Sequence, residues 1–264
     1  MTNFRTLTHW IEALPEHGRY VFTRAEADAA TEASTAATKM ALYRLKKRGA
    51  IVSPRRDFFV VVPREYRVAG CPPASWFIDD LMRHRERYYY VALLSAAALH
   101  GAAHQQPLAF QVIVEKAERN IDVGRVRIDF HVSHRFEGAA VQAVQTETGT
   151  MNVATPETTA FDLVRFPAAA GYWSNVATVI AELAERLNPK ALAAGASRVA
   201  RTDVQRLGWL LDFVEQSDLA DALAATIDGK RLLPTPLARA RDTADAQLDL
   251  RWHVLVNDNV ELDL

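Results

Sequence analysis

The sequence has 264 residues, of which 49% are hydrophobic and 24% are charged, fractions that are ordinary for a globular protein. They exclude a disordered chain, a collagen-like chain and a disulfide scaffold. Cys71 is the single cysteine and can form no internal disulfide, which predicts a reducing compartment. The first residues contain no long apolar stretch, so we expect no signal peptide, no membrane span and a cytoplasmic protein.

The net charge of −1 hides an uneven distribution of charge. Residues 1–67 carry 12 Lys and Arg against 7 Asp and Glu, whereas residues 68–264 carry the remaining 19 against 25. Seven Lys or Arg residues and no acid lie between Lys39 and Arg56. Such a cluster attracts phosphate groups, although a solvated helix face followed by a charged turn explains it equally well.

Two helices are predicted before the basic cluster. The first has four apolar residues at helical spacing, Phe4, Leu7, Ile11 and Leu14. Pro15 ends this helix, and residues 20–22 are predicted to be extended. Residues 23–26 have the Thr-x-x-Glu pattern of a capping box, so a second, short helix should begin at Thr23 and end near Ala30.

A third helix and a β-hairpin follow. Ser34 can cap a helix that continues to Arg48, and Gly49 ends it. Residues 50–52 and 58–62 then have the character of two strands around a turn-rich tip. Helix, helix, tight turn, helix and hairpin is the order of a winged helix-turn-helix. We therefore predict a DNA-binding domain over residues 1–67.

The third helix divides into two faces at 100° per residue. The predicted core stripe is Thr38, Ala41, Leu42 and Leu45. The opposite face carries Ala36, Lys39, Met40, Tyr43 and Lys47, with Arg44 at its border. Long donors on an outward face are what a helix in the DNA major groove needs, and Arg55 and Arg56 at the hairpin tip would contact phosphate. The alternative places Tyr43 and Met40 in the core, but it leaves the two wing arginines unexplained.

Residues 63–73 are predicted to connect this domain to a larger mixed α/β domain over residues 74–264, so the fold class is α+β. Helices are predicted near 76–82, over 90–101, from Thr155-Pro156 onward and over most of 173–225. Strands are predicted over 110–114, 120–123, 126–132, 151–154 and 252–256.

Four stretches of the chain carry a family resemblance. They are ALYRLKKRGAI at 41–51, YYVALLSAAALHG at 89–101, TPETTAFDL at 155–163 and RLGWLL at 206–211. In this order the chain resembles the AbiEi family, the antitoxins of type IV toxin–antitoxin (abortive infection) systems. The resemblance implies a winged helix-turn-helix repressor of its own operon. It also implies antagonism of a co-encoded nucleotidyltransferase-type toxin without a stable complex.

The family supplies no catalytic residue and no cofactor, and its DNA contacts fall on the recognition helix and the wing. Carried over to this sequence, the implied contacts with double-stranded operator DNA are Ser34, Thr35, Lys39, Tyr43, Arg44, Lys46, Lys47, Arg48, Arg55 and Arg56.

Two other function classes stay open. His100 and His104 lie four positions apart, a spacing that is typical of metal ligands on a helix. Gly101 should end their helix, and no third ligand follows at a typical spacing, so no metal is expected. Asp129 and His131, between Asp122 and His134 on one hairpin, share a strand face and could form the acid/base pair of a winged-helix nuclease. No acid-x-Lys follows, so we expect a solvated sheet face and no enzyme. The second of the two other classes is a scaffold whose basic helix is only surface.

Overall fold

The computed structural model describes residues 6–31, 33–102, 107–227 and 231–262. Within these ranges the chain forms ten α-helices and three β-sheets. No helix in them is long and apolar enough to cross a membrane. The α+β class is confirmed, with a winged helix-turn-helix ahead of a larger mixed part.

The winged helix-turn-helix, here called the winged-helix unit, occupies residues 6–62 apart from position 32. Its elements are α1 (Leu7–Ala13), β1 (Val21–Thr23), α2 (Arg24–Ala29), α3 (Thr35–Lys47), β2 (Ile51–Arg55) and β3 (Phe58–Val61). The capping box at Thr23 and Glu26 and the cap at Ser34 are both present. Phe4, predicted for the first helix, lies outside the described residues.

The three strands of the winged-helix unit form an antiparallel sheet in the order β1-β3-β2, which we call the wing sheet. Val60, in its middle strand, pairs with Val21 on one side and with Val52 on the other. Phe22, Ile51 and Val61 belong to the core beneath the helices. Phe58 and Val60 belong instead to the large core of the C-terminal part. Both faces of the wing sheet are therefore buried.

The C-terminal part is built on a six-stranded mixed sheet. Its strands are β4 (Tyr89–Val91), β5 (Phe110–Val114), β6 (Ile121–Val123), β7 (Val126–Val132), β8 (Val141–Thr146) and β9 (Gly149–Ala154). Their order in the sheet is β6-β7-β5-β4-β9-β8. The pairs β5–β7 and β4–β9 are parallel and the others antiparallel.

Seven helices and a small third sheet complete the C-terminal part. The helices are α4 (Ile78–His84), α5 (Leu93–Leu99), α6 (Pro156–Arg165), α7 (Tyr172–Leu183), α8 (Pro189–Ala196), α9 (Arg201–Phe213) and α10 (Ser217–Ile227). The third sheet, in the order β10-β12-β11, contains β10 (Thr235–Pro236), β11 (Gln247–Asp249) and β12 (Val254–Val256). Most residues of the two core clusters follow the predicted domains 1–67 and 74–264, but Phe58 and Val60 belong to the larger cluster, and this division stays a prediction.

Two of the predicted elements are wrong in detail. The helix expected over residues 90–101 is a strand followed by a helix that begins at Leu93. A strand buried on both faces has a continuous apolar run, which periodicity does not distinguish from a buried helix. The strand β8 was not expected, because it is an edge strand without a fully buried residue and so shows no alternation. The last strand begins at Val254 rather than at Trp252.

A chain of buried polar groups joins α6 to α9 within the large core. The Tyr90 hydroxyl donates a hydrogen bond to Oδ2 of Asp162 at 3.1 Å. Arg165 Nη1 lies 3.5 Å from the other oxygen of Asp162, and Arg165 Nε donates to Asp203 Oδ2 at 3.2 Å. Asp203 in turn lies 3.7 Å from Nη1 of Arg206. Apart from Arg165, which is 15% exposed, these groups are almost wholly buried, so each depends on its neighbours for compensation.

These buried polar groups predict that the free energy of unfolding depends on pH. Burial raises the pKa of the Asp162 carboxyl from 3.8 to about 7, although Arg165 and the Tyr90 hydroxyl act in the opposite direction. Between these pH values the native protein holds a proton that the unfolded chain has released. The free energy of unfolding should therefore fall as the pH rises through this window, by at most about 1.4 kcal/mol per pH unit from this group.

Urea denaturation across the same pH window tests the prediction. Asp162→Asn should flatten the profile, because an amide does not titrate. Asp245→Asn, which removes an exposed carboxyl, is the matched control and should leave the profile unchanged. An equally steep profile in the Asp162→Asn variant would contradict a protonated Asp162.

Candidate nucleic-acid interface

The helix α3 is held by its N-cap and by one buried stripe. Ser34 Oγ accepts a hydrogen bond from the backbone N–H of Ala37 at 3.3 Å. Thr38, Leu42 and Leu45 are buried. The predicted core stripe of this helix is confirmed, and its position leaves the opposite face of α3 to solvent.

The opposite face of α3 is exposed and basic. Tyr43 is 60% exposed and Met40 is 50% exposed, so the alternative that places both in the core is wrong. The other predicted contact residues on this segment are also exposed, namely Ser34, Thr35, Lys39, Arg44, Lys46, Lys47 and Arg48. Among the residues that the structure describes, no acidic side chain is within ion-pair distance of the Lys and Arg residues of α3. We call this face the basic face.

The two wing arginines have different surroundings. The Arg55 guanidinium donates hydrogen bonds to the carbonyl oxygens of Pro54 and Arg119 and lies 5.8 Å from the centroid of the Phe130 ring. Burial also lowers the pKa of Arg55. Arg55 is therefore removed from the expected phosphate contacts, because its charged group packs against the C-terminal part. The sequence pattern gave no sign of this contact, which joins residues 64 positions apart.

Arg56 is the arginine that extends from the hairpin tip. Its side chain is 94% exposed, and its Nε lies 3.3 Å from Oδ2 of Asp57. Asp57 adopts a left-handed backbone with a φ of 59°, which Asp tolerates better than most residues and which closes the tight turn. A salt bridge this exposed contributes little free energy, so Arg56 stays available to an external anion.

Each member of the acid/base pair considered for a nuclease, Asp129 and His131, has structural neighbours of its own. Asp129 Oδ1 accepts hydrogen bonds from Asn120 Nδ2 at 2.8 Å and from Arg127 Nε at 2.9 Å. The His131 ring lies 5.7 Å from the Phe166 ring, and burial lowers the pKa of His131. Asp129 thus fastens the β6–β7 hairpin. Asp122 and His134 on the same hairpin are exposed.

Of the histidine pair considered for a metal, the structure describes only His100. A ring nitrogen of His100 forms a 2.8 Å hydrogen bond with the carbonyl oxygen of Ala154. His104 lies outside the described residues. In the part of the chain that the structure describes, no group of three or more His, Cys, Asp or Glu side chains could hold a metal ion.

Comparison with known proteins identifies the central part of the chain. Residues 90–213 match the family model of the AbiEi antitoxin C-terminal domain. These residues are an AbiEi antitoxin domain. The stretches at 155–163 and 206–211 lie inside the AbiEi domain, and 89–101 lies inside it except for its first residue. The resemblance seen in the sequence is confirmed, and it supports the role of an antitoxin in a toxin–antitoxin pair.

A solved structure has the same fold over nearly the whole chain. The crystal structure of the RV2827C protein from Mycobacterium tuberculosis aligns with a TM-score of 0.69 at 17% sequence identity. The alignment covers 94% of this chain and 89% of that one, so the likeness extends beyond the AbiEi domain. No curated protein matches the sequence. The AbiEi family is not known as enzymatic, which is consistent with the expected lack of catalysis.

Proposed function

We propose that the chain is a DNA-binding antitoxin of a type IV toxin–antitoxin system. It represses its own operon by binding double-stranded operator DNA, and it antagonises a co-encoded nucleotidyltransferase-type toxin without a stable complex. It acts in the cytoplasm without catalysis, cofactor or metal. The observation that carries this proposal is the exposed basic face of α3, free of acids, in a winged-helix unit attached to an AbiEi domain.

The basic face is suited to the major groove. Lys39, Tyr43, Arg44 and Lys47 extend from the side of α3 that is opposite its buried stripe, so they can reach base edges. In this proposal Ser34 and Thr35, at the N-terminus of α3, contact the flanking DNA backbone, and so do Lys46 and Arg48 near its C-terminus. Arg56 at the wing supplies a further phosphate contact.

Arg44→Ala is the first test of this interface. The variant should lose about 1–3 kcal/mol of binding free energy on operator DNA and little on scrambled DNA, because a bidentate base contact is lost. Fluorescence anisotropy with the protein's own upstream DNA and a scrambled duplex measures both values. Arg186→Ala, an exposed arginine in the AbiEi domain, is the control and should bind both duplexes as before. Equal losses on the two duplexes would make Arg44 a backbone contact.

The wing arginines should differ in a salt series. Arg56→Ala removes about one phosphate contact, so the slope of log affinity against log salt should flatten by about one unit, with sequence preference unchanged. Arg55→Ala should leave the slope as it is, because this guanidinium is bound to the C-terminal part. The reverse result, with the slope changed only by Arg55→Ala, would show that Arg55 leaves the C-terminal part and contacts phosphate when DNA binds.

The antitoxin half of the proposal is tested in cells. Co-expression of the full chain with a nucleotidyltransferase encoded beside it should restore growth, and a co-purification should recover no stable complex. Asp129→Asn combined with His131→Gln should rescue equally well if the protein stays folded. Loss of rescue by this well-folded variant would favour the nuclease alternative.

A further inference from the structure

A cleft of about 240 Å³ opens inside the AbiEi domain, away from the basic face. The helix α6 forms one wall, the C-terminal end of α8 and the residues after it form another, and the segment before β8 closes the third side. All the residues that line it lie within 90–213. The nucleic-acid interface uses none of them.

Three arginines line this cleft, Arg135, Arg165 and Arg198. Arg135 and Arg198 are exposed, and among the described residues no acidic side chain is within ion-pair distance of either. Arg165 is held by Asp203 and by the Ser133 hydroxyl, yet its Nη2 is buried with no hydrogen-bond partner in the described part of the chain. A buried donor without a partner is costly and marks a place where an acceptor is missing.

The acidic groups in the cleft do not balance these arginines. The lining has two acidic residues, Glu157 and Asp162, against three arginines, and Glu157 Oε1 also accepts a hydrogen bond from the backbone N–H of Asn188 at 3.0 Å. Asp162 is wholly buried at the base, and its raised pKa leaves it partly protonated near neutral pH. The cleft is therefore a cationic site within a part of the chain that carries net negative charge.

The other side of the cleft is apolar. Phe161, of which 2% is exposed, lies beneath this side next to Gly195, where an added Cβ would lie 3.1 Å from the ring. Apart from the Tyr90 ring, the remaining apolar lining is made of small side chains, Ala139, Ala140, Ala191, Ala194 and Val199. Small residues leave room for a flat or compact group against the Phe161 ring.

We propose that this cleft binds an organic phosphate, with the phosphate on Arg135, Arg165 and Arg198 and the organic group against Phe161 and its small neighbours. A phosphate monoester carries about two negative charges and three acceptor oxygens near neutral pH. It therefore matches three guanidinium groups better than a carboxylate does. This ligand site is separate from the proposed DNA binding and does not depend on it.

Phenyl phosphate and inorganic phosphate are the probes, measured on the full chain by isothermal titration calorimetry. Phenyl phosphate should bind saturably and about tenfold more tightly than inorganic phosphate, because its ring is removed from water. R135Q combined with R198Q should weaken phenyl phosphate at least tenfold, since two charge-assisted contacts are lost. Both arginines are exposed, so the double variant should fold normally.

Two further variants make the test specific. Arg186→Gln removes an exposed arginine outside the cleft and should leave phenyl phosphate binding unchanged. Ala194→Trp should fill the apolar side and abolish the advantage of phenyl phosphate over inorganic phosphate. The proposal is overturned if phenyl phosphate does not bind, or if the double variant binds it as well as the control does. Loss of DNA affinity by the double variant, without phenyl phosphate binding to the parent, would also overturn it.

Discussion

Asp203→Ala is expected to lower the free energy of unfolding by about 3–5 kcal/mol, the usual cost of removing one partner from a buried ion pair. Asp203 is 1% exposed and lies between Arg165 and Arg206, of which Arg206 is 2% exposed. Without the carboxylate, Arg206 would have no acidic partner in the described part of the chain, and Arg165 would keep only Asp162, whose pKa is raised to about 7. Urea denaturation at pH 7.5 measures the loss, and coincident fluorescence and circular dichroism transitions establish two-state unfolding.

A double variant distinguishes lost charge compensation from lost packing. Asp203→Leu combined with Arg206→Met should recover part of the stability, because it removes the uncompensated charge of Arg206, whereas Arg165 still loses its hydrogen bond to Asp203. Arg206 also donates two hydrogen bonds to the Pro236 carbonyl oxygen, at 3.0 and 2.8 Å, and the double variant loses these. A loss below about 1 kcal/mol for Asp203→Ala would mean that this carbonyl alone compensates Arg206.

Gly208→Ala should destabilise the protein by about 3 kcal/mol or more, at or above the upper end of the range for overpacked cores. A Cβ at position 208 would lie 2.2–2.3 Å from three ring atoms of Trp252. Trp252 is completely buried, and its ring N–H donates a hydrogen bond to Asp212 Oδ2, so the ring has little freedom to move. Thermal and urea denaturation measure the effect.

The matched control for this contact is a smaller partner. In a Trp252→Leu background, Gly208→Ala should cost much less than it does in the parent, because the added methyl no longer meets the ring. Additive losses in the two variants would contradict the steric explanation. Gly208 is the small residue of the RLGWLL stretch, so this contact explains why that stretch contains a glycine in the middle of α9.

Local patterns predicted the winged-helix unit well because each of its signals is local. The capping residues, the stripe of Leu42 and Leu45 on α3, and the alternation of the hairpin all act within a few residues. Burial on both faces concealed the strand Tyr89–Val91, since a strand of this kind has no alternation to detect. The packing of the Arg55 guanidinium could not be predicted either, because it depends on contacts with Arg119 and Phe130, which are distant in sequence.

The arginine cleft is also formed by residues that are distant in sequence, so local patterns did not predict it. Arg135, Arg165 and Arg198 lie about thirty residues apart, in a loop, at the end of α6 and after α8. No sequence motif has this spacing, and each arginine alone is ordinary. The only local signal was the TPETTAFDL stretch, which contributes Thr155, Glu157, Phe161 and Asp162 to one wall.

The wing sheet lies between the two hydrophobic cores and contributes buried residues to both. Phe58 and Val60 pack into the same core as the buried residues of the AbiEi domain. The Tyr20 ring lies 4.8 Å from the ring of Trp76. A rotation of the winged-helix unit would have to pull these side chains into water, so packing rather than a flexible tether sets its orientation. If the winged-helix unit binds a duplex, the AbiEi domain would therefore project from the DNA axis in one fixed direction. Two copies on neighbouring sites would face the same way only when the sites are separated by whole turns of the duplex, about 10.5 base pairs each.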